Sequence, residues 1–170
     1  MTVLVAVVSV AAGFTAAARS GCSTRGLAAP LVSQRLPDAV ASMRKRILAA
    51  ASRCDYAALV RLSNEHGKGL EFSFGAERSA AAYWHQLESR GEPVMRFLVK
   101  LLDLPVAQSQ GFYVWPSAFR LHATDADWRA LRALYPRRVI DRMRKSGIGY
   151  YGYRVGIRPN GDWQFFVTGD

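Results

Sequence analysis

Apolar residues recur at three- and four-residue steps through the first half of the chain. Leu36, Val40, Met43, Ile47, Ala51 and Cys54 form one such stripe, which predicts an amphipathic helix entered through Pro37 and Asp38. Asp55 is placed to cap a second helix carrying Tyr56, Leu59, Val60 and Leu62. The polar, glycine-containing run 64–69 breaks that helix. Leu70, Phe72 and Phe74 then alternate with Glu71 and Ser73, predicting a short strand. Ser79 opens a third helix with Tyr83, Trp84 and Leu87, ending at Gly91. Pro93 begins a fourth, with an apolar face of Val94, Phe97, Leu98, Leu101 and Leu102, and Pro105 stops it.

The second half changes period. A polar loop leads to Phe112, Tyr113, Val114 and Trp115, a predicted strand stopped by Pro116. Residues 124–127 have the acids of a helix start, and Trp128, Leu131 and Leu134 give that helix an inner face. Pro136 begins a last short helix with Val139, Ile140 and Met143. Tyr151, Tyr153, Val155 and Ile157 alternate with small or polar residues, residues 159–162 supply turn chemistry, and Trp163, Phe165 and Val167 resume the alternation. This predicts a β-hairpin, with Gly161 providing a positive φ. The expected fold is one α+β domain, with five or six short helices on a small antiparallel sheet ending in that hairpin.

Composition modifies the picture at the N-terminus. The first 18 residues hold no charged side chain, and residues 1–30 contain only Arg19 and Arg25. Such an apolar run resembles an export signal, with the small residues 16–18, or the later Leu27-Ala28-Ala29, before the cleavage point. Its length also approaches that of a membrane span, and a buried helix is the third reading. The expectation is therefore a signal peptide or N-terminal anchor over 1–29 and a domain over 30–170. That places the protein in the periplasm or cell envelope, touching membrane only through an uncleaved or lipidated N-terminus. Cys22 and Cys54 are the only cysteines. They could pair in an oxidising compartment if cleavage precedes Cys22, Cys22 could instead be lipidated, or Cys54 could stand alone after later cleavage.

Several stretches resemble a family of small, uncharacterised exported bacterial proteins. They are Leu36-Pro37, Met43-Arg44, residues 47–51, Ser73-Phe74-Gly75, Tyr83-Trp84, Tyr113-Val114-Trp115-Pro116, and the ending from Tyr153 to Asp170. The resemblance covers about 36–170 and implies export and a single domain. It carries no catalytic residues, and Cys54 stands where a small turn residue is expected. The helix–helix–strand opening is also loosely similar to the cone-shaped NTF2-like fold, which needs more long strands than this C-terminal portion offers.

The chain carries a net charge of +10. Removing residues 1–29 takes away Arg19 and Arg25 and no acid, leaving +8 on the domain. Basic residues concentrate on the first helix (Arg44, Lys45, Arg46, Arg53) and around the last (Arg137, Arg138, Arg142, Arg144, Lys145). The expected partner is an anionic envelope component or an acidic protein. Nucleic acid is not expected, because no nucleic-acid motif accompanies the charge.

Residues 111–170 hold 12 of the 19 aromatics. Strict alternation on the hairpin buries Tyr151, Tyr153, Trp163 and Phe165 and turns Phe166 and Tyr150 outward. An aromatic binding surface for a glycan or small ligand would then use Tyr113, Trp115, Tyr150, Tyr153, Arg154 and Phe166. His85 and Glu88 share a helix face and could serve a small hydrolase-type enzyme together with Ser117. No phosphate loop, dinucleotide fingerprint, nucleophile elbow or paired metal-ligand motif occurs, so no cofactor, metal or catalytic residue is expected and the lean is away from catalysis.

Overall fold

Capping chemistry sets where the helices begin. A computed structural model describes residues 22–27, 32–67 and 69–169. The expected signal or anchor segment lies outside the described residues except for 22–27. Helix α1 (Asp38–Ala51) follows Pro37. Helix α2 (Tyr56–Ser63) starts where the Asp55 carboxylate accepts from the Ala58 N–H at 2.9 Å. Helix α3 (Ala80–Ser89) starts on the Ser79 hydroxyl, and α4 (Val94–Leu102) follows Pro93. Each cap supplies an acceptor, or a residue with no N–H to lose, at an end whose N–H groups lack helical partners.

Strands β1 (Ala107–Ser109) and β2 (Phe112–Trp115) follow α4 as a hairpin, and a 3-10 turn covers Ser117–Phe119. Then come α5 (Asp125–Ala130), a 3-10 turn at Leu131–Ala133, and α6 (Arg137–Lys145). Strands β3 (Arg154–Ile157) and β4 (Trp163–Val167) close the chain as a second hairpin. The sheet order is β1-β2-β3-β4, antiparallel throughout. This is an α+β fold with six α-helices among the described residues.

One sheet face carries the main core. Val155, Ile157, Trp115, Trp163 and Phe166 point into it and meet Trp84 of α3 and the apolar faces of α1 and α4. Trp84 stacks on Trp163 with ring centroids 6.2 Å apart. A second, smaller core sits under α5 and α6, built from Leu104, Trp128, Leu131, Ile140, Met143 and Tyr150. Tyr135 joins the two regions: its hydroxyl accepts the Tyr153 N–H at 3.1 Å, and its ring lies 5.6 Å from Phe97.

Three expectations change. The strand expected over 70–74 is a single parallel bridge, in which Glu71 N–H donates to Gln164 and Phe166 N–H donates to Glu71. The polar loop before β2 contains β1, whose turn uses Gln110 and Gly111, both at positive φ. The hairpin faces also differ from strict alternation. Ile157 pairs with Trp163 while its neighbour Gly156 pairs with Phe165, so Gln164 is an extra residue in β4. That bulge shifts the parity of everything after it. Trp163 and Phe166 therefore both enter the core, and Phe165 lies on the outer face.

The outer face needs Gly156. A Cβ there would sit 2.1 Å from Phe165 Cζ, so the Phe165 ring occupies the space that any other residue would claim.

Candidate functional site

Helix α6 turns one stripe toward α5 and the turn after it: Arg137, Ile140, Asp141 and Arg144, at helical three- and four-residue steps. Arg129 of α5 and Arg132 of the following turn face the same gap. Together with Trp128 they line a cleft of about 110 Å³. Trp128 and Ile140 are buried and close its base. Four guanidiniums thus surround one opening, with Asp141 as the acid in the lining.

Two of the four face a carboxylate. Arg144 meets Asp125 at 2.7 Å and lies over the Trp128 ring, 5.8 Å from its centroid. Arg137 reaches Asp141 at 3.6 Å. Arg129 and Arg132 form no ion pair among the described residues. The cleft pairs fixed positive groups with unpaired ones over an apolar floor, which is the chemistry of an oxyanion receptor.

A buried polar network sets the start of α5, and so the position of Trp128 and Arg129. Thr124 and Asp127 form a capping box. Asp127 also accepts from Ser117 Oγ and from Arg120 at 2.7 Å. Burial pushes the Asp127 carboxyl upward, but the hydrogen bonds from Ser117, Arg120 and Thr124 outweigh it and hold the pKa down to about 2.

The outer sheet face offers a second concave region. Three adjoining hollows of about 270, 180 and 390 Å³ share Phe112 in their linings. Phe112 meets Phe165 edge to face at 5.4 Å. Arg158 lies 4.8 Å from the Phe112 centroid, and Arg154 sits between Phe74 and Phe119 at 5.7 and 5.0 Å. Ser109, Gln110 and Glu71 form the polar rim.

The aromatic set expected for ligand binding is divided by the sheet. Trp115, Tyr150 and Phe166 are corrections: each is buried, at 0%, 5% and 1% exposure. The Trp115 indole N–H donates to Gln34, the Tyr150 hydroxyl donates to the Tyr153 carbonyl, and the bulge carries Phe166 inward. Tyr153 is half-buried, stacked on Phe97 at 5.1 Å, and burial raises its pKa to about 12. Tyr113 is partly exposed on the core side of the sheet, its hydroxyl accepting from Gln108. Of the six, Arg154 lies in the outer groove, where its Nη1 donates to the Gly169 carbonyl, and Tyr113 lines the edge of the adjoining 270 Å³ hollow. Phe74, which is exposed, and the half-buried Phe112, Phe119 and Phe165 form the aromatic lining of the groove instead.

The basic groups also sort differently from their sequence runs. Arg44 is a correction to the surface patch. It is 6% exposed, its Nε donates to the Leu102 carbonyl at 2.8 Å, and burial lowers its pKa while nearby Asp103 acts the other way. The sequence held a signal for this, since Arg44 falls on the inward stripe Val40, Arg44, Ile47, Ala51. Arg46 forms a forked pair with Glu65. Lys45 and Arg53 remain exposed. On α6, Arg137, Arg138, Arg142, Arg144 and Lys145 are all exposed, and Arg137 and Arg144 enter the cleft. Arg129 and Arg132 were missed because they lie a turn upstream, outside any basic run.

The side chains weighed for catalysis engage separate partners. Both Glu88 oxygens are occupied: Ser23 N–H donates to Oε2 at 2.7 Å, and the Ser23 hydroxyl and Met95 N–H donate to Oε1. His85 is exposed and packs edge-on against Tyr56 at 5.8 Å. Ser117 is buried against Asp127, with no histidine beside it among the described contacts. No cluster of three or more metal-ligating side chains exists among the described residues.

Cys22 and Cys54 are joined by a disulfide, with Cα atoms 5.7 Å apart. The bond uses the sulfur that lipidation of Cys22 would need. Thr24, buried beside it, donates to the carbonyls of Ala51 and Ser52. Segment 22–27 is therefore strapped to the end of α1 at one point and to α3 and α4 through Ser23 and Glu88 at another. No helix among the described residues is long and apolar enough to cross a membrane. In comparisons with family models, curated proteins and solved structures, the chain matches none.

Proposed function

We propose that the protein is an exported, non-catalytic binding module that docks an anionic component of the cell envelope. The observation that carries this reading is the arginine cleft between α5 and α6. The chain's net charge of +10 adds long-range attraction toward an anionic surface. The Cys22–Cys54 disulfide supports the exported part of the reading, because such bonds persist in oxidising compartments and are rare in reducing ones. The uncharged first 18 residues support it independently.

The test is co-sedimentation of the protein with phosphatidylglycerol vesicles and with neutral phosphatidylcholine vesicles at two salt concentrations. The screening length falls from about 10 Å at 0.1 M salt to about 3 Å at 1 M. Binding to the anionic vesicles should be strong at low salt and collapse at high salt, with little binding to neutral ones. Equal binding to both, or binding that ignores salt, would overturn the reading.

The outer groove favours a second reading, binding of a glycan whose ring faces stack on Phe112 and whose hydroxyls meet Gln110 and Glu71. Phe112→Ser should then abolish retention on an envelope-glycan column. Unchanged retention would end this reading.

A further inference from the structure

We propose that the arginine cleft recognises a phosphomonoester: a terminal phosphate group on an envelope lipid headgroup. This deepens the anionic-docking reading and rests on it. Three features of the cleft select this chemistry over other anions.

Charge comes first. Arg129, Arg132, Arg137 and Arg144 face the opening, against Asp141 in the lining and Asp125 bonded to Arg144. Four positive and two negative groups leave a surplus of two. A phosphomonoester above its second pKa, near pH 6, carries close to two negative charges. A phosphodiester or a carboxylate carries one and would leave the site unbalanced.

Donor geometry is the second feature. The lining contains four arginines and no lysine. A guanidinium presents its donors as a planar fork that binds phosphate oxygens in pairs, whereas an ammonium acts as a point charge. A terminal phosphate offers three free oxygens to forks arriving from two helices. A diester offers two, and its second ester arm would have to leave through the wall of guanidiniums.

The floor is the third. Trp128 and Ile140 are buried at 7% and 5% exposure, so the opening is backed by apolar side chains rather than water. A charge-assisted hydrogen bond gains strength beside such low-dielectric material. Arg129 and Arg132, which hold no ion pair among the described residues, are free to swing onto the ligand. Arg144 is pre-positioned by its bond to Asp125 and by the Trp128 ring, and Arg137 lies near Asp141.

The test compares full-length protein on phosphatidylcholine vesicles doped with phosphatidic acid, a phosphomonoester, or phosphatidylglycerol, a diester. The doping is adjusted to equal surface potential. The expected result is about tenfold tighter binding to phosphatidic acid, a difference of about 1.4 kcal/mol. The double variant Arg129→Lys/Arg132→Lys keeps the charge and removes two forks. It should keep its phosphatidylglycerol binding and lose most of the preference, with unchanged thermal unfolding as the fold control. Inorganic phosphate should displace the protein from phosphatidic acid vesicles, and sulfate at the same ionic strength should do so less.

Equal, tight binding to both vesicles would overturn phosphomonoester recognition while leaving anionic docking intact. Absence of binding to either would overturn the docking reading itself. Glycerol 3-phosphate binding as tightly as the vesicles would overturn the lipid source.

Discussion

Replacing Asp127 by asparagine should cost about 2–4 kcal/mol at neutral pH, and the cost should shrink as the solution is acidified. The Asp127 side chain is 5% exposed and takes four donors on two oxygens. Ser117 and Arg120 reach Oδ1, and the N–H and hydroxyl of Thr124 reach Oδ2 at 2.8 Å each. Asparagine supplies one acceptor and turns N–H groups toward the remaining donors, so at least the Thr124 N–H or the Arg120 contact is lost. The native carboxyl is held at about 2, from an ordinary value of 3.8. At roughly 1.4 kcal/mol per unit, that depression alone is worth about 2 kcal/mol. The sign follows from a lowered folded pKa. The stabilisation is complete above the ordinary value and is lost as pH falls through the folded one. Urea unfolding followed by tryptophan fluorescence reads both numbers, at neutral pH and again at about pH 2.5. A neutral-pH gap under about 0.5 kcal/mol would refute the network as a source of stability, because that is the range of an ordinary surface change. So would a gap that stays constant on acidification.

Other consequences of the packing can be checked in the same assay. Phe166→Ala should cost about 3–5 kcal/mol and Phe165→Ala clearly less, since the bulge buries only the first; equal costs would mean strict alternation after all. Gly156→Ala should cost about 1–3 kcal/mol, and most of that cost should vanish when Phe165 is also alanine, because the Phe165 ring fills the space of the new Cβ. Replacing both cysteines by serine should lower stability by roughly 3–4 kcal/mol in the loop-entropy picture, given a separation of 32 residues. Intact-mass measurement of protein from a native fraction should find it two hydrogens lighter than its reduced form.

Much of the fold was legible because local rules acted locally. Asp55, Ser79 and Thr124 each begin the helix that their side chains announce, and the β3–β4 hairpin follows from alternation around a Pro-Asn-Gly turn. What failed was non-local. Gln164 becomes a bulge where Glu71, more than ninety positions earlier, takes its carbonyl, and no period in the sequence marks that event. Strand β1 was hidden because Gln108 and Ser109 have no apolar alternation; pairing with β2 makes the strand. The site shows the same division. Arg137 and Arg144 were visible in a basic run, but Arg129 and Arg132 join them only through the packing of α5 against α6. Arg44 was read as surface because its neighbours Lys45 and Arg46 are, although its helical position faces the core.

The central claim is that a specific cleft, and not overall positive charge, carries the interaction. A charge-matched comparison tests it most directly. Arg129→Gln/Arg132→Gln and Lys45→Gln/Arg53→Gln each remove two exposed positive charges, the first pair in the cleft and the second on the far helix and its following turn. Affinity of each for phosphatidic acid vesicles would be measured at one ionic strength. The cleft pair should lose about tenfold or more in affinity, equivalent to at least about 1.4 kcal/mol, and the other pair less than about twofold. Equal losses in the two variants would contradict the account and leave only a diffuse basic surface.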